Sequence, residues 1–409
     1  MERTLSRITE HLVALVAARR TAAPLFVALQ GPQGIGKTTI TRALATITSL
    51  RVAVVSLDDL YLPHHALQRV HEAAKHNKLL SGRGQPGTHD LPLAADILQR
   101  LHGINSPGAN VVRVPVFDKS LHNGQGDRLP EAQATEITGL LDVVVLEGWC
   151  VGFYPLPEDQ LATRYDDIVS GTGAHDGFVR DAVRVHTLDD LRCINKHLEA
   201  YAEALYPFFD AFIQLAPPTD APLSPIYTWR LEQEHALKKQ TDGRGMSDDQ
   251  VKSFIDRYIP GYVFFLEGVQ RGWAPNYIRT RHMAARSHHH SGESEGDGAG
   301  DATTGNSALP LEEPFEGTES QAQHPPTSTS TTTPAPAPTS AHINASTTSL
   351  SHADGSNNTT RAANRTRTCT HTPLLPRTYD QTGPNPPWKG RGLCIYLDQR
   401  RAMIGSETF

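Results

Sequence analysis

Hydrophobic positions along the chain follow two rhythms. Apolar, β-branched runs at 25–29, 51–57, 110–116, 142–147 and 211–215 have the length and composition of strands. The first of them, Leu25-Phe26-Val27-Ala28-Leu29, is apolar throughout, as in a parallel strand covered on both faces. Between the runs the spacing turns helical. Leu5, Ile8, Leu12, Leu15 and Val16 form one stripe, Leu93, Ile97, Leu98 and Leu101 a second. Leu191, Ile194, Leu198, Tyr201 and Leu205 form a third, and Val251, Phe254, Ile255 and Tyr258 a fourth. Ser247 with Gln250 predicts a capping box ahead of that last stripe, and Pro260 ends or restarts its helix. Strands alternating with helices predict an α/β fold, a mostly parallel sheet with helices on both faces.

The rhythm lapses near residue 284. Ser, Thr, Pro, Gly and Asn then dominate to about residue 388, too polar to offset the entropy of ordering. This tract reads as a long disordered insertion, and His288-His289-His290 within it as a polar run, not a metal site. A strand pattern returns at Gly392-Leu393-Cys394-Ile395-Tyr396-Leu397-Asp398. A lone strand is unstable, so it is expected to rejoin the edge of the sheet. The expected organisation is a domain over 1–283, an insertion over 284–388, and a returning segment over 389–409.

Composition narrows the class. A net charge of −6 over 409 residues does not point to nucleic acid. Cys150, Cys193, Cys369 and Cys394 are far apart and form no CxxC motif, which fits a reducing compartment. No stretch is apolar enough to span a bilayer, and Met1-Glu2-Arg3 opens no apolar leader. The expectation is a soluble cytoplasmic protein without membrane association. Protein partners of the insertion stay open.

Chemistry concentrates where the first strand ends. Gly31-Pro32-Gln33-Gly34-Ile35-Gly36-Lys37-Thr38-Thr39 joins a strand to a helix with the glycine, Lys and Thr spacing of a phosphate-binding loop. Its glycines let backbone N–H groups turn inward around phosphate oxygens, and the helix N-terminus adds partial positive charge. Gly31, Gln33, Gly34, Ile35, Gly36, Lys37, Thr38 and Thr39 are therefore the expected nucleotide contacts, with the Thr38 hydroxyl on Mg²⁺. In open α/β sheets ligands gather beyond the C-terminal strand ends. Asp58 and Asp59 follow the second strand, Asp118 the third, and Glu147 ends the fourth, so all are expected near the phosphates. A carboxylate after the second strand can take a proton from a hydroxyl, and the residues alone leave Asp58 and Asp59 both open. Glu147 suits Mg²⁺ or its water. Asp142 starts its strand at the opposite sheet edge and is given no role. An Asn-Lys-x-Asp guanine motif is absent from the chain.

Four blocks, Gly31–Thr39, Asp58-Asp59-Leu60-Tyr61, Pro115-Val116-Phe117-Asp118-Lys119-Ser120 and Glu147-Gly148-Trp149, together resemble the P-loop small-molecule kinases, a group with uridine kinase, phosphoribulokinase and pantothenate kinase. A narrower resemblance is to the D-glycerate 3-kinase family and its fungal kinase-like relatives. It rests on Pro86-Gly87-Thr88-His89-Asp90, on Asp118-Lys119-Ser120 followed by Gly124, Gly126, Asp127 and Arg128, and on the run from Glu147 to Phe153. Tyr227-Thr228-Trp229-Arg230-Leu231-Glu232-Gln233-Glu234 and Gly245-Met246-Ser247-Asp248 complete it. The resemblance implies a P-loop NTPase fold and an ATP- and Mg²⁺-dependent kinase that phosphorylates a hydroxyl of a small metabolite, with D-glycerate the leading acceptor. A nucleoside or sugar acceptor, or a regulatory nucleotide-binding ATPase-like protein, are the alternatives. It implies Asp58 as base, Lys37 on the phosphates, Thr38 and Glu147 on the metal, and Arg230 as a lid arginine. His89, Asp90, Lys119 and Arg128 are the implied acceptor-pocket residues. Residues 155–185 and the insertion depart from the family pattern and bear on acceptor choice.

Overall fold

Six strands make the central sheet, in the order β10-β9-β8-β1-β7-β2. In chain order the elements are α1 (Glu2–Ala17), β1 (Leu25–Gln30), α2 (Lys37–Ile47), β2 (Val52–Ser56), α3 (His64–Ala73), α4 (Leu91–His102), β3 (Val111–Val114), β4 (Phe117–Asp118), α5 (Leu121–Gly124), β5 (Asp127–Arg128) and β6 (Thr135–Thr138). There follow β7 (Val143–Gly148), α6 (Glu158–Ser170), α7 (Gly177–Arg184), α8 (Leu188–Ala204), β8 (Ala211–Ala216), α9 (Pro225–Gln240), α10 (Asp248–Asp256), α11 (Ile259–Phe265), α12 (Gly268–Arg271), β9 (Gly392–Leu397) and β10 (Met403–Thr408). This computed structural model describes residues 1–272 and 385–409, apart from 48, 109–110, 173–175, 218–222, 241–242 and 244. All of these belong to one unit of the chain. The insertion up to residue 384, with its histidine triplet and Cys369, lies outside the described residues.

The strand period of two divides the core. Leu25, Val27 and Leu29 of β1 face Ile8 and Leu12 of α1 and Ile40 and Leu44 of α2. Phe26 and Ala28 point the other way, into a larger cluster with Ile97, Leu98 and Leu101 of α4 and Leu191, Ile194 and Leu198 of α8. Strand β1 runs parallel to both β7 and β8, and β9 continues the parallel set beside β8. The C-terminal ends of β1, β2 and β7 therefore open on one side of the sheet, where the functional residues gather. The expected capping box forms, with Ser247 accepting from Gln250 N–H, and Pro260 sits in the first turn of α11.

Two expectations about strands are corrected. The third run is not a strand of the central sheet. Strand β3 pairs antiparallel with β6 in a separate two-stranded ribbon. Its burial alternates along Val111-Val112-Arg113-Val114, exposed and buried in turn, which suits a ribbon wet on one face and not a strand covered on both. The returning strand is not at the edge either. Strand β10 pairs antiparallel with β9 and takes the edge. Met403-Ile404-Gly405-Ser406-Glu407-Thr408 gives little strand signal because it is an edge, mostly half-exposed and tolerant of polar residues. The ordered C-terminal segment also begins earlier than the strand pattern. Trp388, last in the low-complexity stretch, is fully buried against Phe212, and its indole donates to the Val269 carbonyl at 2.8 Å. Among the described residues no helix is long and apolar enough to cross a membrane, and Cys150, Cys193 and Cys394 are free thiols.

Candidate active site

The phosphate loop leaves β1 at Gln30 and enters α2 at Lys37. Gly34 and Gly36 hold φ of +76° and +105°, which a side chain would strain. Gly34 has a second reason to be glycine: a Cβ there would lie 2.6 Å from the Trp229 carbonyl carbon, so α9 packs directly on the loop. Lys37 Nζ donates to the Gly31 carbonyl (2.8 Å) and the Pro32 carbonyl (3.2 Å), placing an ammonium inside the loop. Burial lowers its pKa, while the charges of Glu147 and Asp58 oppose that shift. Helix α11 supports the loop from the side: the Tyr262 hydroxyl donates to Gln33 Oε1 at 2.5 Å.

Glu147 arrives through sheet register. Ser56 of β2 and Glu147 of β7 are lateral partners, and Ser56 Oγ donates to Glu147 Oε1 at 3.0 Å. Burial raises the Glu147 pKa, and Lys37 pulls it back. Beyond β2 the chain makes one 3₁₀ turn, Leu57–Leu60, capped by Ser56. Leu57 and Leu60 are buried, which leaves the two acidic residues between them to the polar side.

Those two neighbours part company. Asp59 accepts the Phe117 N–H at 3.1 Å, so it fixes the start of β4, and burial raises its pKa. Asp58 accepts from Lys119 Nζ at 2.5 Å and from the Tyr61 hydroxyl at 2.8 Å. Burial pushes the Asp58 carboxyl up, but Lys119 and Tyr61 outweigh it and hold the pKa at about 2. Asp118 does not join this group. Its carboxylate accepts both the N–H (2.8 Å) and the hydroxyl (2.6 Å) of Ser120, locking the turn after β4. It ends a two-residue hairpin strand, β4 paired with β5, and not a strand of the central sheet.

The glycine-rich loop before α4 brings His89, which forms an isolated bridge with Tyr61 and stacks on its ring at 4.4 Å. Tyr201 of α8 accepts the Gly87 N–H at 3.3 Å, and its hydroxyl lies 2.5 Å from His89 Nδ1. Either atom can donate in this pair; when the Tyr201 hydroxyl gives its proton to Nδ1, the neutral ring carries its own proton on Nε2. That Nε2 is buried without a hydrogen-bond partner among the described residues. Burial depresses the His89 pKa to about 3, so the ring stays neutral beside Asp58. Asp90 caps α4 and pairs with Arg128 at 3.0 Å, and Arg128 also donates to the Tyr61 carbonyl at 2.8 Å. These two flank Tyr61 and are engaged with each other. Arg230 pairs with the buried Glu234 at 2.8 Å and stands over the Phe254 ring. Glu234 in turn accepts the Met246 N–H at 2.7 Å, tying α9 to the segment before α10. Asp142 pairs with Arg51 at the far end of the sheet.

Sequence reading passed over Tyr61, Tyr201, Tyr262 and Arg401, all of which touch the residues it did select. Tyr61 closes the Asp58-Asp59-Leu60-Tyr61 block without a role of its own, and Tyr201 and Tyr262 carry no local motif. Arg401 follows the C-terminal end of a parallel strand, the place where ligands gather, and that position was its signal.

A strand–loop–helix anion cradle with carboxylates on the neighbouring strand ends defines a P-loop phosphotransferase. No family model matches the chain. It is 32% identical over 274 residues to the probable ATP-dependent kinase TDA10 of Saccharomyces cerevisiae, covering 63% of this chain and 83% of that one. It is 34% identical over 250 residues to the chloroplastic D-glycerate 3-kinase of Arabidopsis thaliana, covering 59% of this chain but 48% of that protein, about half its length. In three dimensions it is similar to the D-glycerate 3-kinase of Cryptococcus neoformans var. grubii, with a TM-score of 0.65, 26% identity and 99% of each chain covered. The chain belongs to the D-glycerate 3-kinase and fungal ATP-dependent kinase-like family, within the P-loop small-molecule kinases. It is an ATP-dependent kinase acting on a small molecule.

Proposed function

We propose that the acceptor is D-glycerate and that transfer proceeds in line from ATP bound with Mg²⁺. The observation that carries the reading is the Asp58–Lys119 pair, set close enough to the phosphate loop for Asp58 to act on Lys37. Gly31, Gln33, Gly34, Ile35, Gly36, Lys37, Thr38 and Thr39 cradle the nucleotide phosphates. Thr38 and Glu147 offer the hard oxygen donors that suit Mg²⁺. Among the described residues no group of three or more His, Cys, Asp or Glu is arranged to hold a metal. Remaining ligands would then be phosphate oxygens and water, and the ion would neutralise charge between the β- and γ-phosphates.

Asp58 orients the acceptor hydroxyl and takes its proton as transfer completes. A carboxylate with a pKa of about 2 is a weak base, which suits a loose transition state in which positioning contributes most. Lys119 is placed to exchange Asp58 for a substrate carboxylate, and that exchange would raise the basicity of Asp58 as the acceptor arrives. The unpartnered His89 Nε2–H donates to an acceptor oxygen, with Asp90 and Arg128 as the frame. Arg230 reaches the transferring phosphoryl group only by leaving Glu234. Buried free thiols at Cys150 and Cys394 fit a cytoplasmic, reducing setting. The test is coupled ADP release with D-glycerate, L-glycerate, uridine and a hexose. Release that depends on D-glycerate is expected. Release with another acceptor alone would replace the substrate, acceptor-independent release would mean an ATPase, and ATP binding without turnover a regulatory protein.

A further inference from the structure

The turn between β9 and β10, residues 398–402, reaches back to the phosphate loop. Asp398 builds the turn: its carboxylate accepts the N–H groups of Arg400 (2.9 Å) and Ala402 (2.8 Å), and its own N–H bonds the Ala402 carbonyl (2.9 Å). The Trp229 indole of α9 donates to the Gln399 carbonyl at 2.7 Å. Inside this frame Arg401 holds φ +61°, a left-handed conformation that glycine takes freely and other residues resist. Strain of this kind persists where the surroundings over-determine it and gathers at functional sites. The Arg401 guanidinium spends its donors on one neighbourhood. Nε donates to the Gly34 carbonyl at 2.7 Å, one terminal nitrogen to Glu232 at 2.8 Å, and the other to the Trp229 carbonyl at 3.3 Å.

We infer that Arg401 is a positioning residue for the nucleotide, fixing the Gly34–Ile35 peptide of the phosphate loop and fastening that loop to α9. A peptide is planar and trans, so a carbonyl held toward Arg401 sends the Ile35 N–H the opposite way. That N–H faces the Pro32 carbonyl at 3.4 Å, the oxygen that also receives Lys37 Nζ at 3.2 Å. Both donors thus point into the interior where a phosphate oxygen would sit. Gly34 itself, at φ +76°, has the freedom to rotate this peptide if nothing holds it. A residue 367 positions along the chain supplies the hold. The C-terminal hairpin thereby becomes part of the nucleotide site and not only the edge of the sheet. The inference rests on the assignment of loop 31–39 to the nucleotide.

The test uses the full chain with MgADP as probe, in titration calorimetry, alongside KM values for ATP and for D-glycerate and the melting temperature. Arg401→Gly suits φ +61° and so removes the guanidinium without a backbone penalty. It should raise the MgADP Kd and the KM for ATP by about tenfold or more. Its KM for D-glycerate should stay within about twofold and its Tm within about 3 °C. Arg401→Lys keeps the charge without the fork and should fall between. Unchanged MgADP binding in Arg401→Gly overturns the inference. So does a fall in Tm with nucleotide and acceptor weakened alike, which would make Arg401 a clamp of the hairpin. Lys37→Ala separates the two levels. If wild-type protein binds MgADP and Lys37→Ala does so equally well, the loop assignment itself falls, and the inference with it.

Discussion

The two halves of the site are built on different principles. The phosphate loop is one continuous stretch whose work is done by backbone N–H groups, glycine dihedrals and one lysine at the start of a helix. The proposed acceptor side is assembled from side chains of four separate segments, with Asp58, Tyr61, His89, Lys119 and Tyr201 meeting through hydrogen bonds and stacking. A backbone cradle has few side chains to lose, so substitutions across the pocket should leave nucleotide affinity nearly unchanged. A side-chain assembly fails one contact at a time. It also couples its titrating groups: Lys119 and Tyr61 set Asp58, and Asp58 acts on His89.

The sharpest way to break that contrast is at Asp58. Asp58→Asn keeps the shape and removes the charge that orients and deprotonates the hydroxyl. We expect kcat to fall about a thousandfold and ATP affinity to change by no more than about threefold, as measured by steady-state kinetics and nucleotide titration. Lost ATP binding would mean that the halves are not separable and that Asp58 serves the nucleotide.

Legibility in the sequence follows the same division. The cradle could be read because its spacing is fixed by chemistry within nine consecutive residues. The parallel strands around it could be read because they are covered on both faces and apolar up to their C-terminal ends. Strands β3 and β9 were misplaced because partner choice is not local: Val111–Val114 shows the right composition, and only its pairing with Thr135–Thr138 removes it from the main sheet, while β9 loses the edge to β10, which gave little signal. Asp118 failed for that reason, since its role was inferred from a strand end that the sheet does not contain. On the acceptor side the polar residues could be nominated, but not their engagements. Arg128 is committed to Asp90, and Arg230 to Glu234, facts that depend on which helix faces which loop. Asp58 and Asp59 look alike in sequence. They differ because Asp59 meets the Phe117 N–H while Asp58 meets Lys119.

Lys119 sharpens the comparison at intermediate size. Lys119→Met keeps length and removes the ammonium that holds the Asp58 pKa at about 2. Burial, which pushes the carboxyl up, is then opposed mainly by the Tyr61 hydroxyl, so the pKa rises. Activity requires ionised Asp58 and is lost as pH falls through its pKa, so the acid limb of kcat should move to higher pH, by about one unit or more. KM for a carboxylate acceptor should rise about tenfold. An acid limb that stays in place would show that Asp58 is not the group titrating there.

The smallest effect is expected at Tyr201, and it tests whether the acceptor side is tuned as well as assembled. Its hydroxyl sits between the Gly87 N–H and His89 Nδ1, so Tyr201→Phe leaves the ring packing and removes the group that, by donating to Nδ1, would hold the proton on Nε2. Without it the proton can move to Nδ1, and His89 then offers the pocket a lone pair in place of a donor. One neutral hydrogen bond is worth about 1 kcal/mol, so kcat/KM for the acceptor should fall about fivefold. The Kd for MgADP should not move, because the Tyr201 hydroxyl bonds Gly87 and His89 and not the phosphate loop. A variant with a full-strength pocket would assign Tyr201 to packing alone and would leave the His89 tautomer to the acceptor itself.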